Sequence, residues 1–287
     1  MARIIPTGYP EFTYTGTVTK EWDGDWGWYL LLKTGGTLTF AKNQKVDVFL
    51  CGGGGGGAGG ADNAGGGGGG GGYVVNKYSI TATGGIEYQV VIGKGGKNGG
   101  DGYNAADGTS TTAFNATAEG GKRGHNGGGG GAGTGYGGSA GNISSGSNGG
   151  NGVLPFNSYG SIYYGGGGGG GAGKYGSNGK GGKSGGGWYN GKGAGVDNTG
   201  GGGGGADGSS VSYNTGHYGG TGIVIIRNSE ITNLPVNFKG TTLLKMFFNG
   251  AEVQHLIHNG KQLFAERVRR CGHWLFGAAM RSPQHAV

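Results

Sequence analysis

Two patterns divide this chain. In residues 11–50 apolar and polar positions alternate with the period of a β-strand. "EFTYTGTVTKE" sets Phe12 and Tyr14 against Thr13 and Thr15. "WGWYLLLKTGGTLTFAK" gives two runs around Gly35-Gly36, which predicts a hairpin. "KVDVFL" places Val46, Val48 and Leu50 on one face and Asp47 and Phe49 on the other. Further strands are expected over 73–80 and 86–92, joined at Thr83-Gly84-Gly85. A short β-branched run, "GTGIVIIRN", predicts a buried strand at 223–227. Between these strands the alternation gives way to long runs with no side chains, beginning at "LCGGGGGGAGGADNAGGGGGGGGYVV".

The C-terminal part has its own pattern. "LLKMFFNGAEVQHLIHNGKQLF" contains Asn249-Gly250 and Asn259-Gly260. Each pair suits a two-residue type I′ turn. The reading is a three-stranded meander over about 243–248, 251–258 and 261–264. A sheet of this size is near the limit of independent stability, so self-association is expected to help it. Residues 265–287 are basic and lack clear periodicity. The organisation expected is therefore strands in 1–50, a glycine region over 51–229, a meander over 230–264 and a basic tail.

Composition sharpens the picture. Of 287 residues 83 are glycine, and 72 of these fall within 51–222. Glycine is usually ~7% of a protein. Apolar residues are 33% of the chain, so a conventional core fits the flanks and not the middle. A disordered linker is one reading, since glycine-rich chains behave as random coils. Fixing glycine costs roughly 0.5–1 kcal/mol more than fixing alanine. Only the backbone can offset that cost. Extended threefold helices of about three residues per turn direct N–H and C=O groups outward all round. Without β-carbons such helices can pack side by side and pair these groups laterally in two dimensions.

The purity of the blocks favours order. They run Gly52–Gly57, Gly65–Gly72, Gly127–Gly131, Gly165–Gly171 and Gly200–Gly205, with Gly68 and Gly168 at the centres of two of them. The intruder is often alanine: Ala58, Ala132, Ala172. Looser blocks such as "GSNGKGGKSGGG" suit outer helices facing water. A bulky residue is expected to be severe at Gly68 or Gly168 and milder at Gly179.

At this point the residues resemble a known family. "FTYTG", "DGDW", "LLKTGGTLTF", "VDVFLCGGGGGGAGG" and "GGTGIVIIR" are similar to the glycine-rich domain of bacteriophage and prophage tail proteins. "FFNGAEVQHLIHNGKQLF" resembles the Asn-Gly hairpin modules that close many tail-fibre proteins. The resemblance covers roughly residues 11–264. It implies a mainly β fold with an ordered polyglycine II helix array framed by strands. It further implies a virion tail or fibre component, a homo-oligomer (a trimer in many fibres), and fellow virion proteins and a bacterial surface receptor as partners. A similar domain occurs in the ectodomain of anaplastic lymphoma kinase, which has a signal peptide. The start here, "MARIIPTGYPEF", lacks the apolar segment of such a signal. Cys51 stands where a small aliphatic residue is usual, and residues 265–287 match no part of the pattern.

Candidate chemistry is sparse. A P-loop needs glycine at 177, where serine stands, although Gly182-Lys183-Ser184 fits its end. Asp23-Gly24-Asp25 lacks the remaining ligand positions of a calcium loop. His125, His217, His255, His258, His273 and His285 are scattered. His255 and His258 fall on opposite strand faces, and Cys51 and Cys271 have no zinc spacing. No catalytic constellation, cofactor site or metal site is expected, and the reading is not an enzyme. The net charge of +7 admits nucleic acid, but "RGG" and RNP motifs are missing. No apolar run is long enough to cross a membrane as a helix. The lysines read as solvated positions.

Binding fits better. Aromatic residues occupy the links between glycine blocks, chiefly Phe156, Tyr159, Tyr163, Tyr164, Trp188 and Tyr189, with Tyr103, Phe114, Tyr136, Tyr175, Tyr213 and Tyr218 elsewhere. Aromatics on Gly/Ser/Asn loops resemble a paratope. The other reading is that they seal the ends of the glycine helices from water. The function expected is a tail-fibre adhesin contacting the bacterial surface through aromatic loops. The alternative is a structural fibre, decoration or self-assembling filament without receptor recognition.

Overall fold

The computed structural model describes residues 8–23, 27–60, 63–100, 105–126, 129–134, 145–157, 160–173, 175, 177–183, 193–208 and 215–229, and the strand segments 236–238, 241–243, 256–258, 261–263, 269–270 and 273–274. The fold is mainly β. The strands up to residue 229 are β1 (Phe12–Tyr14), β2 (Val18–Asp23), β3 (Gly27–Leu32), β4 (Gly36–Phe40), β5 (Gln44–Cys51), β6 (Val74–Ala82), β7 (Glu87–Val90), β8 (Thr111–Ala113), β9 (Ala116–Ala118) and β10 (Ile223–Asn228).

They form two antiparallel sheets and a hairpin. One sheet has the order β2-β3-β10-β5-β6, the other β1-β4-β7, and β8 pairs with β9. Leu30, Leu32, Val48, Leu50, Val224 and Ile226 of the first sheet share a core with Leu38, Phe40 and Val90 of the second. Ala113, Ala116 and Ala118 of the hairpin complete that core. Burying each large aliphatic side chain contributes about 1.5–3 kcal/mol. Behind the first sheet, Tyr29, Leu31, Phe49, Ile223 and Ile225 pack against Phe156 and Tyr164. β3 and β10 are thus buried on both faces, which is why "GWYLLL" and "IVII" do not alternate.

The hairpin expected at Gly35-Gly36 does not form. β3 pairs with β2 and β10, whereas β4 pairs with β1 and β7. Residues 33–35 carry the chain from one sheet to the other. A Cβ at Gly36 would lie 2.7 Å from the Gly16 amide nitrogen, so this glycine serves a close crossing and not a two-residue turn.

Asp47 and Arg227 are cross-strand partners and are both buried. Arg227 Nε and Nη2 each lie 2.9 Å from Asp47 Oδ2. The Ser79 amide donates to Asp47 Oδ1 at 3.0 Å, beside a register shift between Val46 and Val48. The Arg227 guanidinium also lies 4.1 Å from the centre of the Phe156 ring. This charge pair joins the two strands that frame the glycine region.

Beyond Cys51 the side chains stop and the hydrogen bonds change character. The N–H groups of Gly52, Gly55 and Ala58 donate to Tyr73, Gly70 and Gly67. Those of Gly53 and Gly56 donate to Thr109 and Ala106, and those of Gly54 and Gly57 to Gly220 and His217. Each partner segment is revisited every third residue and runs antiparallel. The carbonyls of the same stretch accept from three more segments, which run parallel: Gly53 and Gly56 from Gly121 and Gly124, Gly54 and Gly57 from Gly96 and Gly99, Gly55 and Ala58 from Gly203 and Ala206.

Segment 52–58 therefore has six hydrogen-bonded neighbours, and these neighbours bond to one another in a closed ring. Around the ring the order is 67–73, 203–206, 217–220, 96–99, 106–109, 121–124, linked by the amides of Gly66, His217, Gly216, Ala106, Gly108 and Gly67. Outside it lie 165–171, bonded to 66–69 and 202–205, then 146–152 and 177–183 against 165–171.

C-terminal to this unit, β11 (Val236–Phe238), β12 (Thr241–Leu243), β13 (Leu256–His258) and β14 (Lys261–Leu263) form a four-stranded antiparallel sheet. Thr242 faces Ile257 and His258 faces Lys261. These registers are symmetric about positions 249–250 and 259–260. Asn249, Gly250, Asn259 and Gly260 themselves, and residues 244–255, lie outside the described residues. β15 (Arg269–Arg270) pairs with β16 (His273–Trp274).

Candidate functional site: the two ends of the glycine array

The array begins where sheet and glycine meet. The Thr111 hydroxyl donates to the Cys51 carbonyl at 2.7 Å and accepts from the Gly93 amide at 2.9 Å. Cys51 Sγ lies 3.4 Å from the Thr199 carbonyl. Burial pushes its thiol pKa up, so it stays protonated and inert. Gly200 turns beside it with φ 67°, and a Cβ there would overlap Cys51 Sγ. The register Ile223↔Cys51 and Asn228↔Val46 sends β10 away from the array, so the chain leaves the sandwich at the opposite side.

The other end is built by chain reversals. The Gly208 amide donates to Ala172, Gly216 to Gly99, Ala58 to Gly67 and Gly67 to His125. A Cβ at Gly60 would overlap the Asp207 carbonyl. The described residues flanking positions 61–62, 101–104, 127–128, 174–176 and 209–214 thus reach one level, away from the sandwich. Of these positions only Tyr175 is itself described, and it is 79% exposed.

The aromatic candidates divide. Phe156 and Tyr164 are buried, with ring centroids 6.1 Å and 5.3 Å from that of Phe49. Burial raises the Tyr164 pKa. Both seal the back of the five-stranded sheet and neither is available to a surface, which corrects the expectation of contact. The cause is apolar demand: Tyr29, Phe49 and Ile225 need a cover, and residues 153–164 supply it through the Val153–Tyr164 bridge. Phe156 takes φ 51° to do so. Tyr163 is half-buried with Lys183 Nζ 4.2 Å from its ring centre. Tyr159, Trp188 and Tyr189 lie outside the described residues.

Gly52, Gly57, Gly65, Gly68, Gly72, Gly131, Gly165, Gly168, Gly171, Gly200 and Gly205 are all buried. A Cβ at any of them would overlap a neighbouring segment. Gly127 lies outside the described residues. Gly179, where the sequence predicts a bulky residue to be milder, is equally tight, since its Cβ would overlap the Ser147 carbonyl. The looser block is loose only at every third position: Ser177, Lys180 and Lys183 are exposed while Gly179 and Gly182 are buried.

A second three-residue spacing matches the first, and sequence reasoning missed it. The amides of Ser177, Lys180 and Lys183 donate to the side chains of Ser145, Asn148 and Asn151 at 3.0, 2.7 and 3.0 Å. These side-chain oxygens occupy the place of a further glycine segment and close the array's edge. The period was visible in "SGSNGGNG" and "SNGKGGK".

Elsewhere on the flank Lys122 Nζ lies 3.3 Å from Asp107 Oδ2. Burial pushes the Asp107 carboxyl up, but the Arg123 amide and the Lys122 ammonium outweigh it and hold it below its ordinary value. Among the described residues no group of three or more His, Cys, Asp or Glu could hold a metal ion. None of their helices is long and apolar enough to cross a membrane.

A family model described as a glycine-rich domain matches residues 33–229. No curated protein matches the chain.

Proposed function

We propose, from the premise that this chain belongs to the glycine-rich domain family over residues 33–229, that its glycine region is a polyglycine II helix array serving as a rigid display scaffold in a bacteriophage tail fibre. What supports the array is the three-residue rotation of hydrogen-bond partners around segment 52–58 and its ring of six neighbours. Three residues per turn with outward backbone groups are the marks of that helix. What supports display is polarity. The chain leaves the sandwich on one side, and the reversals flanking 61–62, 101–104, 127–128, 174–176 and 209–214 lie on the other, while those at 153–164 and 199–200 abut the sandwich.

In this reading the sandwich side faces the rest of the fibre and the free end of the array meets the bacterial surface. Loops on a rigid scaffold can vary without disturbing it. The receptor is a surface polysaccharide or outer protein, the assembly is a homo-oligomer such as a trimer, and the protein resides in the virion. Phe156 and Tyr164 leave the contact set, Tyr175 stands exposed at the far end, and Tyr159 and Tyr163 stay in it. Trp188 and Tyr189 keep their place as candidates. The test is attachment of the labelled full chain to bacterial cells. Tyr175→Ala is expected to lower attachment about tenfold, the effect of losing ~1.4 kcal/mol, with fold intact.

A second reading, a structural fibre or filament without receptor recognition, draws support from the burial of Phe156 and Tyr164. It requires unchanged attachment in the Tyr175→Ala and Trp188→Ala/Tyr189→Ala variants.

A further inference from the structure

The open flank of the sandwich carries a groove that the display reading does not use. β8 and β9 bridge the gap between β7 and β6 there. The groove is open along one side and has a volume of about 750 Å³. Its apolar lining is Ile80, Ala113, Ala116 and the stacked pair Tyr88 and Phe114, with ring centroids 4.5 Å apart at 22°. The rim is polar, with Thr81, Thr112, Asn115 and Thr117 beside Glu87.

The turn that presents Phe114 is strained. Ala113 faces Ala116, so Phe114 and Asn115 form a two-residue turn, with φ 49° and 54°. Asparagine suits this conformation. A bulky side chain there is strained relative to glycine, and such strain collects at binding sites. Phe114 is held in it by the Tyr88 ring, whose hydroxyl in turn accepts from the Thr83 amide at 2.7 Å. The Gln89 amide is fixed by the Thr37 hydroxyl at 3.0 Å. The platform is therefore set before any ligand arrives.

Charge narrows the ligand. The protein carries +7, yet among the described residues no lysine, arginine or histidine lines the groove, and Glu87 is the one carboxylate among them. An anionic ligand has no counter-charge there. A lipid tail would leave the hydroxyl and amide rim unpaired. A fixed aromatic pair beside hydroxyls and a carboxamide matches the apolar face and hydroxyl edge of a neutral sugar ring. We propose that this groove binds a neutral saccharide through Phe114 and Tyr88, independently of the far end of the array.

The experiment is saturation-transfer NMR on the full chain with cellobiose, maltose and N,N′-diacetylchitobiose, and with glucuronic acid as an anionic probe. At least one neutral sugar is expected to receive saturation, and glucuronic acid none. Phe114→Gly removes the ring and suits the left-handed turn, so it is expected to keep the fold while weakening binding about tenfold or more. Should Phe114→Gly unfold, Asn115→Ala and Thr117→Ala at the exposed rim provide the check, each expected to weaken binding. The proposal is overturned if no neutral sugar is bound, if glucuronic acid is bound as well, or if folded groove variants bind like the parent. Cell attachment lost in Tyr175→Ala with saccharide binding retained would separate this groove from the far-end site.

Discussion

Leu50 and Gly54 lie four residues apart on one run of chain, and both are fully buried. Leu50 is buried among Leu, Val and Phe side chains of two sheets. Gly54 is buried among backbones, with its amide bonded to Gly220 and its carbonyl to Gly96. The first environment is non-directional, and a smaller side chain leaves a cavity into which neighbours relax. The second has no room to add anything: a Cβ at Gly54 would overlap the Gly201 carbonyl. One region is stabilised by what its side chains remove from water, the other by the absence of side chains. Tolerance to substitution should differ accordingly.

The largest effect expected is at the central segment. Gly55→Ala adds one methyl that would overlap the Lys122 carbonyl inside a closed ring of six neighbours. It should abolish compact folding, seen as loss of the cooperative melt and as proteolysis within 51–222. Leu50→Ala, with more atoms changed, should cost about 2–5 kcal/mol by denaturant unfolding and leave a folded protein. Equal effects of the two would erase the distinction.

The next effect joins the two regions. Removing one partner of a buried charge pair costs about 3–5 kcal/mol, and apolar replacement of both can be neutral. Asp47→Ala should therefore destabilise strongly, and Asp47→Leu combined with Arg227→Met should recover much of the loss. Thermal unfolding of the single and double variants measures this.

Legibility followed the same division. The strands at 74–82, 87–90 and 223–228 were readable because side-chain alternation or an apolar run marks them. The crossing at 33–35 was not, since Gly35-Gly36 carries the same local signal whether the next strand pairs with its neighbour or with a strand far along the chain. Lateral packing of the glycine blocks was readable from their purity. Which segment neighbours which was not, because glycines carry no side chain to specify a partner. The edge left a trace, however: Ser145, Asn148 and Asn151 repeat with the period of Ser177, Lys180 and Lys183. The burial of Phe156 and Tyr164 was hidden, because an aromatic in a loop reads alike whether it faces water or a sheet.

Edge closure gives a smaller expected effect. Asn148→Ala and Asn151→Ala each remove an acceptor for an exposed lysine's amide. About 0.5–1.5 kcal/mol per bond follows, with a growing tendency to associate as the edge opens. Sedimentation of the double variant reports the second consequence.

Smaller again are the pH effects. Burial raises Tyr14 to about 12 from an ordinary 10.0. A raised folded value stabilises fully below the unfolded value and is lost as pH climbs from about 10 towards about 12. Tyr14→Phe should move alkaline unfolding upward. Asp107 has the opposite sign. Its depressed value stabilises above the ordinary carboxylate range and is lost as pH falls through the folded value. Because this pair is exposed, Asp107→Asn should flatten acid unfolding slightly, and less so in high salt.

Amide hydrogen exchange tests the central claim most directly. Gly53 to Gly57 donate to Thr109, Gly220, Gly70, Ala106 and His217 inside a ring closed to water. Their amides should exchange as slowly as those of Leu50 and Ile225 in the sandwich, opening only with global unfolding. Exchange of these glycines at the rate of an unstructured peptide, while Leu50 and Ile225 stay protected, would contradict the account.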